Sequence, residues 1–316
     1  MTDVITVKNL IKRYKKADKN AVDDISFTVS EGEFFTLLGP NGAGKTTTLS
    51  ILTTILSKTS GKITVAGYDL DQNQSLVRQN VGIIFQNPSL DLNLTAEENI
   101  RFHAVLYGVY PFAPLYSLMP DGYKKKVKEL ADIIGIGSDL FKPTKTFSGG
   151  MKRKLEIIRS LIHHPKVLFL DEPTVGLDPL SRKNLWEYLT EIRKKDKLTI
   201  LLTTHYLEEA ETADKIAVIN NGKIITNGTP HQIKKRIIKD YLIVDAKDKK
   251  KLMQELDKKK YTYEVNGEIK IDLKSKTPYE VIKSITTPLS IIKTHTPTVE
   301  EAYIEIIGKD NNNESK

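Results

Sequence analysis

The sequence predicts an α/β fold: a doubly wound sheet built around one phosphate-binding loop, with a small α+β module behind it. Three observations predict this. Residues 39–46 read GPNGAGKT, a match to G-x-x-x-x-G-K-[ST]. They lie between the apolar run EFFTLL at 33–38 and a helical recurrence of Leu49, Leu52, Ile55 and Leu56, so strand, glycine loop and helix follow in the order the motif requires. Residues 167–170 (VLFL) make a second apolar run, ending in Asp171-Glu172-Pro173. Beyond residue 240 the hydrophobic patterns start afresh, in the order β-α-β-β-α-β-α, which is that of a ferredoxin-like module.

Composition bounds the answer further. At 316 residues, one large domain and one small one are expected. There are no cysteines, which excludes disulfides and thiolate metal sites and fits a reducing compartment. The net charge of +8 is spread thinly. Short basic runs at 124–126 and 152–154 read as solvated faces, and no concentrated footprint for a specific nucleic acid is present. The first residues lack the basic and apolar regions of a signal peptide. Residues 102–120 carry no acid, lysine or arginine, but Pro111, Pro114 and Pro120 interrupt them. The chain is therefore not expected to span a membrane itself.

Taken in order, residues 4–7 and 25–29 read as strands of an N-terminal β-rich section, with Tyr14 in the polar run between them. A lone tyrosine there carries no function by itself. In the glycine loop, backbone N–H groups can close around a triphosphate at a helix N-terminus. Lys45 is placed to reach the β- and γ-phosphates of ATP, and Thr46 to put its hydroxyl on Mg2+. Residues 62–66 and 82–85 read as strands, the second ending at Gln86. That glutamine is either a polar strand terminus or a group that meets the metal or the attacking water. Thr95 and Glu98 form a capping box for a helix over 94–107. The uncharged stretch 102–120 holds Phe102, Tyr107, Tyr110, Phe112 and Tyr116, either core or a docking face. A helix follows at 127–136.

Ser148, Gly149 and Gly150 open another helix, a second place where an anion could sit. The strand at 167–170 ends in the Walker B pattern, in which Asp171 holds Mg2+ through water and Glu172 can polarise the water that attacks the γ-phosphate. Asp178 lies in a turn before a helix at 180–194, and His205 ends a strand at 199–203 on the ligand edge of the sheet. Residues 216–219 and 223–226 form a hairpin about Asn220-Asn221-Gly222.

Together and in this order, these pieces resemble the ATP-binding cassette (ABC) family of transporter ATPases over about residues 4–235. The run from Phe147 to Pro179 looks most like the ATPases of drug-resistance and ABC-2 type exporters, with Phe147 and Met151 replacing the first and last residues of the usual L-S-G-G-Q signature. The resemblance implies a RecA-like core, an antiparallel β section and a helical subdomain. It makes Tyr14 the adenine-stacking aromatic. Gly39, Pro40, Asn41, Gly42, Ala43, Gly44, Lys45, Thr46 and Thr47 become the nucleotide-binding Walker A loop. Gln86 becomes the Q-loop residue, Ser148, Gly149 and Gly150 the signature, Asp171 the metal-holding acid, Glu172 the catalytic glutamate, Asp178 a D-loop residue and His205 the switch histidine. Partners follow: a second nucleotide-binding subunit, as a homodimer in head-to-tail pairing, and a separate integral-membrane permease reached from the cytoplasmic face. The uncharged stretch 102–120 is expected to dock that permease.

The expected domains are 1–228 for the ATPase, 229–240 as a polar linker, 241–308 as the accessory module and 309–316 as a disordered tail. Thr277 and Glu280 should cap one helix of the module and Thr298 and Glu301 the last, with a hairpin about Asn266-Gly267. Residues 297–308 also resemble the C-terminal segment of the drug-resistance ATPases. Two other functions compete: a soluble cassette ATPase acting on ribosomes or DNA, and a regulatory module that holds ATP without turnover. The first usually brings two cassettes or a long coiled coil, neither visible here. The presence of both Glu172 and His205 speaks against the second.

Overall fold

The computed structural model describes residues 2–87, 89–237, 241–274, 276–295 and 298–314. It divides into two compact units, the first ending at Asn227 and the second beginning at Gly228. The strands of the first are β1 (Asp3–Lys12), β2 (Val22–Ser30), β3 (Phe34–Leu38), β4 (Ser60–Val65), β5 (Tyr68–Asp69), β6 (Val81–Ile84), β7 (Val167–Asp171), β8 (Thr199–Thr204), β9 (Lys215–Asn220) and β10 (Lys223–Gly228). Its helices are α1 (Lys45–Leu52), α2 (Gln74–Gln79), α3 (Ala96–Leu106), α4 (Asp121–Ile134), α5 (Gly149–Leu161), α6 (Pro179–Asp196) and α7 (Leu207–Glu211).

Two sheets result. An antiparallel sheet has the order β2-β1-β4-β5, and a six-stranded sheet the order β10-β9-β3-β8-β7-β6. In the larger one, neighbours from β9 to β6 run parallel. Every residue of β3, β7 and β8 is buried, buried threonines such as Thr36 and Thr203 included, which explains why apolar residues run on without alternation: strands covered on both faces show none. The register decides where the chemistry sits. Leu38 lies beside Thr204, Thr203 beside Asp171, and Leu170 beside Ile84. The loops leaving four strands therefore open level with one another along one edge.

The core joins the two sheets through α1. Ile5, Leu10, Ile25 and Phe27 meet Leu49, Ile51 and Leu52 of the helix and Phe35, Leu37, Phe169 and Leu201 of the large sheet. Phe27 and Phe35 stack with ring centroids 5.1 Å apart. Burying each such side chain is worth roughly 1.5–3 kcal/mol, so α1, and the loop that opens it, are anchored firmly.

Three helices come from the insert between β6 and β7. The expected capping box of α3 is present: Thr95 Oγ1 accepts from the Glu98 amide at 3.2 Å while Glu98 Oε2 accepts from the Thr95 amide at 2.8 Å. Helix α4 starts at Asp121 rather than at 127, directly after Pro120, and stops at Gly135 with φ 75°.

The second unit holds α8 (Pro230–Ile237), β11 (Tyr241–Asp245), α9 (Lys249–Lys258), β12 (Tyr263–Asn266), β13 (Glu268–Asp272), α10 (Pro278–Ser284), β14 (Ile291–Thr294) and α11 (Val299–Glu314). Its sheet is antiparallel in the order β12-β13-β11-β14. That order matches the ferredoxin-like arrangement. Leu242, Val244, Ile269 and Ile271 face Leu252, Leu256 and Val281 of the helices. Helix α8 replaces most of the linker expected at 229–240, of which 238–240 lie outside the described residues. The overlooked signal is a capping box. Thr229 Oγ1 accepts from the Gln232 amide at 3.1 Å, Gln232 Oε1 accepts from the Thr229 amide at 3.0 Å, and Pro230 follows the cap. Helix α11 runs to Glu314, into the stretch expected to be disordered, because no proline interrupts it. Residues 315–316 of that stretch, and Pro297 of the segment 297–308, lie outside the described residues.

Candidate nucleotide-hydrolysis site

The loop between β3 and α1 is shaped by close backbone approaches. A Cβ on Gly39 would fall 2.2 Å from the Ile219 carbonyl oxygen. At Gly44, with φ 106°, a Cβ would fall 2.5 Å from that of Ala21. Gly44 is the N-cap of α1 and offers no side chain, so the first amides of the helix keep their hydrogen-bonding capacity for a ligand. An open cleft lies over them, lined by Ala21, Asn41, Gly42, Gly44, Lys45, Thr46, Thr47, Gln86 and Glu172. Of the loop residues named from the sequence, Gly39, Pro40 and Ala43 do not line it. Gly39 and Pro40 instead present their carbonyls to Lys45 Nζ at 2.8 and 3.1 Å. Ala43 is 3% exposed and its carbonyl accepts from the Gly222 amide at 3.0 Å.

Glu172 is the hub. Its Oε1 lies 3.5 Å from Lys45 Nζ and 3.1 Å from His205 Nδ1, and its Oε2 accepts from Gln86 Nε2 at 3.2 Å. Lys45, Gln86 and His205, three residues predicted from three separate stretches, thus meet around the Glu172 carboxylate. Burial holds the Lys45 ammonium below its ordinary pKa, against the pull of Glu172. Burial likewise raises Asp171, opposed by hydrogen bonds from Thr203 and Thr46. The Thr46 hydroxyl donates to Asp171 Oδ1 at 3.2 Å, and Thr203 Oγ1 donates to the same oxygen.

The donor set fits Mg2+. It is made of hard oxygens, the Thr46 hydroxyl and the Asp171 carboxylate, with the Gln86 amide close by. Two hard protein oxygens leave the remaining positions of such a cation to phosphate and water.

Other predicted residues stand apart. Ser148, Gly149, Gly150 and Asp178 line no part of this cleft. Ser148 caps α5, accepting from the Met151 amide at 3.2 Å, and both it and Gly149 are exposed. Asp178 caps α6, accepting from the Ser181 amide at 3.0 Å. The Ser181 hydroxyl holds its carboxyl below the usual range. Tyr14 is beside the loop, its hydroxyl 3.3 Å from Thr47 Oγ1 and its ring 5.3 Å from Lys12 Nζ, with 45% of it exposed.

Sequence reasoning missed two supports. Glu209, 3% exposed, accepts from Thr204 Oγ1 at 2.6 Å and also from Thr174 Oγ1, bracing the turn after Glu172 against the end of β8. Arg153, read as part of a solvated basic run, is 4% exposed and donates to the carbonyls of Phe85 and Gln86 at 2.6 and 3.1 Å. Each braces a segment remote in sequence: Glu209 also accepts from Thr174, 35 residues away, and Arg153 reaches main-chain carbonyls 67 and 68 residues away.

A family model described as ABC transporter matches residues 22–175. The linearmycin resistance ATP-binding protein LnrL of Bacillus subtilis (strain 168) is 37% identical over 241 residues, 76% of this chain and 74% of that protein. The chain belongs to the ABC transporter family. A second ABC relative, "Probable multidrug ABC transporter ATP-binding protein YbhF" of Escherichia coli (strain K12), is 38% identical over 237 residues. That is 75% of this chain, while the match spans only 39% of YbhF. A solved structure described as the ATP-binding subunit of an ABC transporter matches with a TM-score of 0.65 and 31% identity, over 74% of this chain and 92% of that one. The residues that the family model matches all lie within the first unit.

Proposed function

We propose that the chain is the ATP-hydrolysing subunit of an exporter, working as a head-to-tail homodimer beneath a separate ABC-2 type permease at the cytoplasmic face of the membrane. One observation carries this reading: Lys45, Gln86, Glu172 and His205 converge over the phosphate loop, whereas Ser148–Gly150 open outward and line none of their own cleft. The first group is equipped for hydrolysis. The second is a helix N-terminus turned to the surface, suited to a nucleotide held by another copy.

In this mechanism the β- and γ-phosphates of ATP take over Lys45 Nζ from the Gly39 and Pro40 carbonyls. The adenine stacks on Tyr14, whose ring is fixed by Thr47. Thr46 and Asp171, with Gln86, would hold Mg2+, which supplies charge neutralisation on the phosphates. Glu172 polarises the attacking water. His205 orients Glu172 through Nδ1 and stands beside the γ-phosphate. Asp178, at the head of α6, faces the partner subunit. Two subunits clamp each nucleotide between the Lys45 loop of one and the Ser148 helix of the other, and loss of the γ-phosphate releases the clamp. Differential affinity for the closed pair is what converts binding into motion.

Among the described residues, no helix is long and apolar enough to cross a membrane. In this reading the permease supplies the path, and the cargo is drug-like, lipid or polymeric. LnrL and YbhF are named for antibiotic resistance and multidrug transport, which supports the exporter branch. Part of the uncharged stretch is exposed: Leu106, Phe112, Leu115 and Leu118 are each at least 60% exposed, while Ala104, Ala113 and Met119 are buried. Such a strip suits docking on an apolar partner.

The test is Glu172→Gln. Hydrolysis is expected to fall by about 10³-fold, the middle of the range for loss of a positioned base, while ATP binding persists and the chain pairs under Mg-ATP in analytical ultracentrifugation. Unchanged turnover would remove Glu172 from its assigned role.

A further inference from the structure

We infer that Arg153 is a positioning residue for Gln86, and that through it the helix offered to the partner's nucleotide and the Glu172 carboxylate of the same chain act as one lever. The inference rests on the head-to-tail pairing proposed above.

The geometry is that of a grip. Helix α5, capped by Ser148, comes close to β6 at Gly82, where a Cβ would fall 2.5 Å from the Ser160 carbonyl oxygen. From this helix Arg153 sends Nη1 to the Phe85 carbonyl at 2.6 Å and Nη2 to the Gln86 carbonyl at 3.1 Å. The same Nη1 donates to Glu156 Oε2 at 2.9 Å. Glu156, 1% exposed, uses its other oxygen to accept from the Ser89 amide at 2.9 Å. Arg159 completes the hold, donating to the Ser89 carbonyl at 2.5 Å and to Ser89 Oγ at 2.6 Å. Spaced three apart, the three side chains share one side of the helix.

A buried ion pair is a weak device for stability. What the planar guanidinium adds is direction, because two forks fix two successive carbonyls at once. The residue so fixed is Gln86, whose side chain donates to Glu172 Oε2 at 3.2 Å. A displacement of α5, as its Ser148 end closes on a phosphate, is thereby passed to the water-polarising carboxylate. In the paired molecule the Ser148 end and Glu172 belong to different seams. Occupancy of one seam therefore sets the geometry of the other, and hydrolysis is cooperative in ATP.

The experiment uses the full chain, with ATP concentration series in the purified protein. Arg153→Lys keeps a cation beside Glu156 and removes the fork. It is expected to lower the Hill coefficient from about 2 to about 1, the range open to two coupled sites. Turnover should fall roughly tenfold or more, with ATP affinity of the unpaired chain unchanged. Glu156→Gln, which loses the carboxylate that aims Arg153, should move both readouts the same way and stands in should R153K not fold. A Hill coefficient of 1 in the unmodified chain, unmodified cooperativity in R153K, or a turnover loss matched by equally weakened ATP binding each overturns the inference. Pairing of the E172Q chain separates the two readings. A chain that stays monomeric under Mg-ATP refutes the head-to-tail arrangement, whereas a chain that pairs while R153K keeps its cooperativity refutes only the link through Arg153.

Discussion

Helix α1 opens on Gly44 with no side-chain cap, whereas α5 opens on Ser148, whose hydroxyl already accepts from the Met151 amide. Both ends carry the positive potential of a helix N-terminus. Around the first, the chain has built walls: Lys45 is 4% exposed, Asp171 3% and Glu172 6%. Around the second no charged side chains are gathered in this way: Gly150 packs beside Ser181, a Cβ there falling 3.3 Å from its hydroxyl, while Ser148 and Gly149 lie at the surface. The contrast teaches that an anion site needs more than a helix end. In the function proposed above, the walled end binds the nucleotide of its own subunit, and the exposed end, partly satisfied by its own cap, contributes when another copy brings a phosphate to it.

The comparison breaks most sharply at Ser148. Ser148→Asp keeps a residue that caps as well as serine but places a negative charge where a phosphate is to arrive. Folding and ATP binding by the unpaired chain should be unchanged, while turnover drops about 100-fold, as for loss of a transition-state donor. ATP-driven pairing measured in the E172Q background should vanish. Full activity in S148D would show that α5 is not a nucleotide-facing end.

A smaller effect is expected at the walled end. Tyr14→Ala removes the ring beside Thr47, and an aromatic stack is worth about 1 kcal/mol, so the Kd for ATP should rise roughly fivefold. Binding of inorganic triphosphate, which has no base, should not change; equal weakening of both ligands would mean that the substitution disturbs the loop.

The least effect on nucleotide chemistry belongs to the far end of α5. There His163, with Nε2 3.0 Å from the Val81 carbonyl, stacks on Tyr107 at 4.1 Å, and the tilted ring of His103 lies 4.4 Å from Tyr107 and 5.6 Å from His163. Burial depresses His103 to about 3 and His163 to about 4. Unfolded, both titrate near 6.5. The stability tied to their neutral forms is thus complete above pH 6.5 and is lost as the pH falls toward 4–3, because only the unfolded chain takes up the protons. The limiting slope is about 1.4 kcal/mol per pH unit for each histidine. His163→Gln, which can still bond the Val81 carbonyl, should flatten the decline in urea-melt stability between pH 6.5 and 4.5 by about half. An unaltered slope would mean that the burial of His163 does not govern it.

Much of this was legible in the sequence, for physical reasons that also explain the rest. Strands β3, β7 and β8 announced themselves because burial on both faces forces an apolar run. The loop at 39–47, Asp171-Glu172 and His205 were readable because each is a short motif at a strand end, where the sheet delivers its loops to one edge. The start of α4 and the whole of α8 were missed, although Pro120 and the Thr229–Gln232 box carried the signals. The grip of Arg153, Glu156 and Arg159 was not readable at all. Its acceptors include main-chain carbonyls, which every residue possesses, so no residue type at any spacing marks the partner. A buried Glu209 was equally silent, since acids in a polar run are ordinarily solvated.

Asp171 and Glu172 are neighbours, and neighbours on a strand face opposite sides. Yet Asp171 reaches Thr46 while Glu172 reaches Lys45, because Glu172 adopts a left-handed backbone with φ 46°. For a residue other than glycine that conformation costs about 1–2 kcal/mol. Glutamine shares the branching and length of glutamate and inherits the same cost, so it alters chemistry alone. Glycine, asparagine or a β-branched residue at 172 would shift the conformational energy as well. A trapping variant chosen from those would confound loss of the base with an unkinked chain, and its trapped complex would no longer report the geometry of the working one.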